Sequence, residues 1–492
     1  MSTCIIIGGG LGGLVTGALL AKEGYQVTVL EKNAIIGGGL QTFKRNGTSF
    51  PTGMHGFGGF QEDGNLRKIF DYLGVIDKIS LRPMDEDASD VVTVMSEGMT
   101  YRLPQGKERF ITYLSTLFPA EKEHIDAYIN RLYELSEEEE LFYLRETLTD
   151  RLSHSDDFLG SVIQLRNRYI TDPKLKTLLG YLNPLFGSDT QTTPAYIHAL
   201  LSTLHINGTF QFVGESQQLA EVLAKVIENA GGQVLANEEV VTIAVDSHQV
   251  TGVFTSKGHH YQADNYISDV HPDVLLRIID PQTFTTAFKT RIQSVPETNS
   301  SFKVFVKFKE KAFPYQNHFH FCLIDNNDWP QSFMCVTPPV EHQGAFAETM
   351  IIISPMEFSR VKLWENTRTG HRGEAYEQWK QTMMEKVLDF TERLYPGFRN
   401  SIEFSFASSP LTIRDYYGNK EGSNYGFRKD SNNLMLSQMS VTTKVRNLFL
   451  TGQNVNIHGL CGVSLTAIET AEALVGHNVI VHKINKFWPN KS

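Results

Sequence analysis

The chain has 492 residues, a formal net charge of −10 at pH 7 and an ordinary globular composition, with 41% hydrophobic and 20% charged residues. A chain of this length exceeds what one hydrophobic core usually spans, which predicts two domains. The acidic balance argues against a nucleic-acid partner, because binding to phosphates requires an excess of basic residues.

Four cysteines are scattered along the chain without the spacing of a metal site or of a disulfide framework. They predict reduced thiols, and no metal is expected. No apolar run approaches the roughly 20 residues of a membrane-spanning helix, and the first predicted strand leaves no room for a signal peptide before it. The sequence therefore predicts a cytoplasmic protein, with peripheral contact to the inner face of the membrane left open.

Residues 3–31 have the pattern of a nucleotide-binding βαβ unit. Three isoleucines predict a short buried strand, and Gly8, Gly10 and Gly13 then fill the pattern GxGxxG. In this pattern the first glycine permits a tight turn, the second lets the backbone approach a pyrophosphate, and the third lets the helix pack on the strand. A helix over residues 11–23 would point its unpaired amides at the phosphates.

A second strand is predicted over residues 25–30, and it ends at Glu31. An acid roughly 20 residues after the glycines can accept both hydroxyl groups of a ribose. The same acid disfavours a 2′-phosphate, so NADP is not expected. Strand, glycine turn, helix and acid together predict a dinucleotide site.

The loop that follows is rich in glycine and is predicted to lie over a cofactor. Glycines 37–39 permit close approach of the backbone, and Asn46-Gly47 predicts a hairpin between residues 40 and 50. His55 stands in a glycine-rich turn where little else can pack. It is a candidate site residue, with a structural loop histidine as the alternative.

Residues 65–74 and 101–146 have helical spacing, with a long helix starting at Pro119, and residues 150–205 are predicted to be mostly helical. The acidic run 137–140 is predicted to be a solvated face, and His198 and His205 are predicted to be structural. Several apolar residues here are candidates for a substrate cavity, with core packing as the more frequent explanation: Tyr181, Leu182, Leu185, Phe186, Tyr196, Ile197, Leu200 and Leu201.

The pattern returns to α/β after residue 214. A helix over 217–230 is followed by residues 233–269, whose alternation predicts three or four antiparallel strands, one of which offers Val241 as an apolar edge for an adenine ring. Residues 272–407 read as mixed strands and helices, including one long helix ended by Pro396. These features predict a second, sheet-and-helix domain.

The C-terminal segment is predicted to be a second cofactor-binding element. A buried strand over residues 447–453 runs into Gly452, and Gly462 is predicted to open a helix over 463–475. If the first helix binds the adenine half of FAD, the N-terminus of this one suits the pyrimidine edge of the isoalloxazine, where reduction develops negative charge.

These motifs, in this order, resemble the phytoene desaturase, carotenoid isomerase and retinol saturase group of FAD-dependent oxidoreductases over nearly the whole chain. The first blocks are shared with many flavin amine oxidase relatives, whereas the last two are particular to the saturase-like branch. The blocks are GGGLGG with Glu31, GGGLQTF, FPTGMH, GESQQLAEVLAKVIENAGGQV, SPLTIRDYYGNKEGSNYGFRKD and NLFLTGQNVNIHGLCGVSLTAIETAEAL.

The resemblance implies a set of site residues. Those implied to bind FAD are Gly8, Gly10, Leu11, Gly12, Gly13, Glu31, Lys32, Gly38, Gly39, Leu40, Met54, Val241, Gly452, Gln453, Gly462 and Val463. His55, Gln453, Asn454 and His458 fall near the flavin ring. Many relatives carry arginine where this chain has Gly39, which leaves backbone amides as the expected substitute.

The predicted fold is α/β, with a discontinuous Rossmann-like FAD-binding domain of the GR2 type and an inserted α+β substrate domain. The FAD-binding domain is predicted to comprise residues 1–85, 205–275 and 435–492, and the substrate domain residues 86–204 and 276–434. The expected activity is reduction, desaturation or isomerisation at carbon–carbon double bonds of an apolar polyene or lipid, with an unknown electron partner.

His55 and His458 are the candidate proton donors, because an imidazole titrates near working pH. One alternative is a flavin amine or protoporphyrinogen-type oxidase. Another is a non-redox prenyl or lipid escort protein of the GDP-dissociation-inhibitor type, which shares the fold.

Overall fold

The computed structural model describes residues 1–147, 154–187, 191–325 and 328–488. Part of the predicted helical region, residues 150–153 and 188–190, lies outside these ranges. The strands are β1 (Thr3–Ile7), β2 (Gln26–Leu30), β3 (Thr42–Arg45), β4 (Thr48–Pro51), β5 (Phe57–Gly58), β6 (Leu81–Pro83), β7 (Asp90–Val94), β8 (Met99–Leu103), β9 (Thr209–Phe212), β10 (Gln233–Leu235), β11 (Val240–Asp246), β12 (Gln249–Thr255), β13 (His260–Tyr261), β14 (Asn265–Ser268), β15 (Ser300–Phe308), β16 (Phe319–Leu323), β17 (Ser332–Val336), β18 (Thr349–Met356), β19 (Ile402–Ser408) and β20 (Leu448–Leu450).

The α-helices are α1 (Leu11–Lys22), α2 (Asn65–Tyr72), α3 (Lys107–Leu117), α4 (Lys122–Glu137), α5 (Asp156–Leu159), α6 (Val162–Tyr169), α7 (Pro173–Leu178), α8 (Ala195–Asn207), α9 (Gln217–Asn229), α10 (Pro272–Ile278), α11 (Thr286–Ser294), α12 (Glu374–Leu394), α13 (Phe398–Ser401), α14 (Pro410–Tyr417), α15 (Leu434–Ser437), α16 (Gly459–Val475) and α17 (Val479–Phe487). Pro119 begins a 3-10 turn that leads directly into α4.

A five-stranded sheet in the order β10-β2-β1-β14-β20 carries the N-terminal unit, and all of its neighbouring strands are parallel. Successive residues of β1 enter different cores. Ile6 packs with α1, α9 and α16 on one face, whereas Ile5 and Ile7 pack with β11, β12 and α10 on the other. Burial on both faces explains why β1 is apolar without alternation.

The prediction of three or four antiparallel strands over residues 233–269 was partly wrong. β11, β12 and β13 form an antiparallel sheet, but β10 and β14 pair in parallel with β2 and β1. Alternation reports which residues are buried and not which strand is the neighbour, so it could not separate the two sheets.

The second large sheet has seven strands in the order β19-β15-β18-β17-β16-β7-β8. Phe302, Val304 and Val306 on one face of β15 share a core with α12, whereas Phe305 on the other face packs against Phe43 and Phe50 of the β3–β4 hairpin. The sheet contains strands from the two ranges assigned to the substrate domain, 86–204 and 276–434. The domain boundaries themselves stay a prediction.

The hairpin prediction was accurate, whereas the predictions of helical structure at residues 101–103, which belong to β8, and of a solvated acidic run were not. Asn46 and Gly47 both have positive φ, 48° and 77°, in the two-residue turn between β3 and β4. The acidic run 137–140 is not wholly solvated, because Glu139 is half-buried and burial, reinforced by Glu140, raises its pKa to about 7. The four cysteines are free and buried.

Across the described ranges, no single helix is both long and apolar enough to cross a membrane. α16 and α17 meet the length and composition criteria only together, as a pair bent by 117°.

Candidate functional site

A cavity of about 790 Å³ begins at the turn between β1 and α1 and reaches the seven-stranded sheet. Its walls come from the carboxyl ends of β1, β2, β14 and β20, from the loop after β2, and from β15, β17 and β18. Nucleotides bind outside the carboxyl ends of parallel strands. The cavity therefore joins the expected nucleotide site to the second sheet.

This cavity brings together nearly all residues that the sequence singled out for cofactor binding or proton transfer. They are Gly8, Gly10, Leu11, Gly12, Glu31, Lys32, Gly38, Gly39, Leu40, Met54, His55, Val241, Gly452, Gln453, Asn454, His458, Gly462 and Val463. Gly13 is not among the residues that line it. A Cβ at Gly13 would clash with the carbonyl oxygen of Gly8, so this glycine lets α1 pack closely on β1.

Glu31 is buried at the end of β2, with 6% exposure. Its Oε2 accepts a hydrogen bond from the backbone N–H of Gly9 at 2.8 Å, and its Oε1 accepts one from Asn33 at 2.8 Å. These bonds fix the carboxylate and leave lone pairs on both oxygens. The arrangement is suited to accepting the hydroxyl groups of a ribose.

Tyr417, at the end of α14, borders the cavity beside Gly39. Its hydroxyl lies 3.9 Å from the position of a Cβ at Gly39 and 2.8 Å from that of a Cβ at Gly53. The hydroxyl donates to Oγ1 of Thr52 at 3.0 Å. A neutral phenol therefore lies beside Gly39, and sequence reasoning missed it although it belongs to the quoted block SPLTIRDYYGNKEGSNYGFRKD.

The C-terminal helix begins earlier than predicted. α16 starts at Gly459 with His458 as its N-cap residue. Its unpaired first-turn amides therefore belong to residues 459–461. Gly462 lies within the first turn, where a Cβ would come 2.6 Å from the carbonyl group of Ile457. Gly462 is thus needed for close packing inside the turn and does not start the helix.

His458 is held by its neighbours. Its Nε2 donates to the carbonyl oxygen of Leu185 at 2.8 Å, and its ring packs on Tyr425 with centroids 4.3 Å apart. Burial lowers the pKa of His458 to about 4, with Lys429 adding to the effect and the bond to Leu185 opposing it. The imidazole is neutral at pH 7, and its N–H is already engaged.

His55 lies in the turn after β4 with both ring nitrogens buried and without a hydrogen-bond partner among the described residues. Burial, together with the charge of Lys303, holds the pKa of His55 well below its ordinary value. A neutral imidazole offers one donor and one acceptor. Because an unsatisfied buried polar group costs about 1–3 kcal/mol, these two nitrogens are groups that a ligand would satisfy.

Lys303 is the residue of this site that sequence reasoning missed most clearly. It lies in the middle of β15 on the cavity side, 6% exposed, and its Nζ donates to the carbonyl oxygen of Thr52. Burial lowers the pKa of Lys303 to about 8, so it is mainly charged at pH 7. The signal was present, since a lysine interrupts the apolar strand pattern FKVFVKF, but the charge could equally have faced solvent.

The helical region contributes several apolar residues to the cavity. Of the apolar residues proposed from the helical region, Leu185, Ile197, Leu200 and Leu201 line the cavity, whereas Tyr181, Leu182, Phe186 and Tyr196 pack in cores. His198 is structural, with Nε2 2.9 Å from the hydroxyl of Tyr128. His205 lines the cavity and is oriented by Asp90, whose Oδ2 lies 2.9 Å from Nδ1.

The residues present fit a flavin dinucleotide. A glycine cradle faces one part of the cavity, Glu31 presents its carboxylate beside it, and the unpaired amides of α16 face another part. Further along, His55 and Lys303 bring polar groups to an apolar space.

The chain matches the family model described as flavin containing amine oxidoreductase over residues 11–475. It belongs to this family. The all-trans-retinol 13,14-reductase of Danio rerio is 23% identical, over 96% of this chain and 86% of the relative. Prolycopene isomerase 2 of an Oncidium hybrid cultivar is 25% identical, over 96% of this chain and 83% of the relative. The solved structure of an oxidoreductase from Methanosarcina mazei is similar with a TM-score of 0.68 at 15% identity, covering 96% of this chain and all of that one.

Membership in the flavin containing amine oxidoreductase family confirms the predicted FAD-dependent oxidoreductase and its α/β fold. It also favours an oxidoreductase over the alternative of a non-redox escort protein. The roles of the individual site residues stay predictions.

Proposed function

We propose that the protein reduces a carbon–carbon double bond of an apolar polyene or unsaturated lipid. The observation that carries the proposal is the distribution of charge along the cavity. Its lining carboxylates among the described residues are Glu31, Glu239 and Asp269, which flank β2, β11 and β14 at the nucleotide part. The part that meets the seven-stranded sheet has no carboxylate among its described lining residues, and it has the ammonium group of Lys303 together with the apolar side chains of Phe319, Met334 and Ile353.

This distribution favours an apolar substrate over an amine. A cationic amine beside Lys303 would be repelled, and it would have to lose water without a carboxylate to replace it. An extended hydrocarbon, by contrast, gains roughly 25 cal/mol for each Å² of apolar surface that leaves water. The two relatives above are named for retinol and for prolycopene, which are apolar, unsaturated molecules.

FAD, when bound, supplies two-electron redox chemistry at its ring system. The chain supplies orientation, exclusion of water and a proton. Lys303, with a pKa of about 8, is charged at neutral pH and is positioned to give a proton or to stabilise negative charge. Neutral His55 offers hydrogen bonds to whatever enters beside it. His458, the other sequence candidate, has its donor committed to Leu185, which favours a role in fixing the start of α16.

The test is anaerobic stopped-flow absorbance with photoreduced enzyme. Retinoids, carotenoids and unsaturated fatty acids are expected to restore the oxidised flavin band faster than no substrate does, and simple amines are not expected to reduce the oxidised enzyme. If all unsaturated substrates fail while an amine or protoporphyrinogen reduces the oxidised enzyme, the protein is an oxidase and the proposal is wrong. Isomerised product without net flavin oxidation would identify an isomerase.

Peripheral contact with a membrane belongs to the same proposal, because a water-insoluble substrate must be collected from lipid. Flotation with liposomes is expected to recover the protein in the lipid fraction. Its complete absence from that fraction at both low and high salt would point to a soluble carrier or a more polar substrate.

A further inference from the structure

Asp269 occupies an unusual place for an acid. It follows β14 directly, and its carboxyl group lies against the glycine turn at the start of α1. Oδ2 is 2.7 Å from the position that a Cβ of Gly10 would take, and Oδ1 is closer still to the corresponding positions of Gly12 and Gly452. The three glycines therefore leave the space that this carboxyl group fills.

The backbone amides of Gly10 and Gly13 lie close enough to the Asp269 carboxyl group to favour its ionised form and so to oppose a rise in its pKa. These amides belong to the helix end that presents its positive dipole to phosphate in nucleotide-binding βαβ units. Asp269 also lines the cavity. An acid therefore lies at the helix N-terminus that would bind the diphosphate of FAD.

The surroundings of Asp269 determine its charge. β1 and α1 contribute backbone groups, the end of β20 contributes Gly452, and the end of β2 contributes the carboxylate of Glu31 with Lys32 next to it. Two residues after Asp269, His271 pairs with Glu297: its Nε2 lies 3.1 Å from Oε1 of Glu297, and both side chains are buried. Burial, reinforced by Glu31 and opposed by the two amides, raises the pKa of Asp269 to about 7.

An ionised Asp269 and the ionised diphosphate would repel each other in this partly buried, weakly screened setting. A neutral carboxylic acid would instead place an O–H donor beside the phosphate oxygens. We propose that Asp269 binds FAD as the neutral acid, donating a hydrogen bond to the diphosphate, and that its ionisation releases the cofactor. This inference concerns FAD binding and does not depend on the identity of the substrate.

One proton is linked to binding, so the dissociation constant of FAD is expected to rise about tenfold for each pH unit above the pKa of Asp269. The diphosphate remains ionised throughout this range. The measurement is serial dilution of the flavin-loaded protein at fixed pH, from about pH 6 to about pH 9, with released FAD read by its fluorescence.

Asp269→Asn is the matched variant, because the amide keeps the shape and an N–H donor but cannot ionise. Its dissociation constant is expected to be independent of pH over the same range. A wild-type profile without slope would overturn the proposal, and so would an equal slope in Asp269→Asn, since another group would then be responsible.

Glu31→Gln provides a second, independent variant. It removes the charge that helps to raise the pKa of Asp269, so the onset of FAD release is expected at lower pH, in addition to weaker binding at every pH. If Asp269→Asn carries no flavin, the pH at which Glu31→Gln begins to release FAD decides whether the proposal holds. A displaced onset supports the proposal, and an unchanged one overturns it.

Discussion

Replacing Lys303 with methionine is expected to stabilise the protein while it slows turnover. Burial lowers the pKa of Lys303 from 10.5 to about 8, and at about 1.4 kcal/mol per pKa unit the charged ammonium in this cavity costs roughly 3 kcal/mol. Lys303→Met removes that cost but leaves the carbonyl of Thr52 without its donor, a loss of about 1 kcal/mol. The net gain in unfolding free energy at neutral pH is therefore about 2 kcal/mol.

The pH dependence separates this explanation from a general packing effect. The pKa of Lys303 is lower in the folded protein than in the unfolded chain, so the cost is fully present below about pH 8 and disappears as the pH rises towards 10.5. Chemical denaturation of wild type and Lys303→Met at about pH 7 and about pH 9.5 is expected to show the difference shrinking by roughly 2 kcal/mol.

Turnover is the second property to measure in Lys303→Met. Reoxidation of the reduced flavin by a polyene is expected to slow by about 100-fold or more, which is the usual contribution of general acid catalysis. Lys303→Arg, which keeps the charge, is the control for stability. A Lys303→Met protein that is less stable than wild type at both pH values, or one that turns over at the wild-type rate, would refute the reasoning.

Three further changes test other parts of the cavity and the fold. Glu31→Ala is expected to weaken FAD binding by about 1–3 kcal/mol at neutral pH, measured by fluorescence of released flavin, because charged hydrogen bonds to the ribose are lost. Leu200→Phe, which narrows the apolar part, is expected to lower polyene turnover while FAD stays bound, and unchanged turnover would remove Leu200 from the substrate path. Burial raises the pKa of Glu139 to about 7, and the charge of Glu140 adds to the effect. Burial likewise raises the pKa of Glu469 to about 7, and here the charge of Glu139 adds to the effect. The stability they contribute is present below about pH 4.5 and lost as the pH rises through 7, so Glu139→Gln should raise the thermal midpoint at about pH 8 and not at about pH 5.

The sequence by itself determined the elements whose signals are local. The strand, glycine turn and helix at the N-terminus, the hairpin at Asn46-Gly47 and the helices α9 and α12 all depend on short-range rules of turn chemistry, capping and periodicity. Glu31 belongs to the same class, because its distance from the glycines in sequence is set by the length of one helix and one strand. These signals also carried the resemblance from which FAD was expected.

Only the tertiary structure decided features that depend on which distant segments meet. β10 and β14 carry short apolar runs that suit either sheet, and pairing with β2 and β1 placed them in the parallel one. Lys303 is buried because β19 and β18 flank β15 and the loop that carries Thr52 covers its face, while the same lysine on an edge strand would have been solvated. Asp269 faces Gly452 only because β14 and β20 are neighbours, although the two residues are far apart in the chain. Burial and charge at such positions are properties of the assembled fold, and local sequence patterns do not contain them.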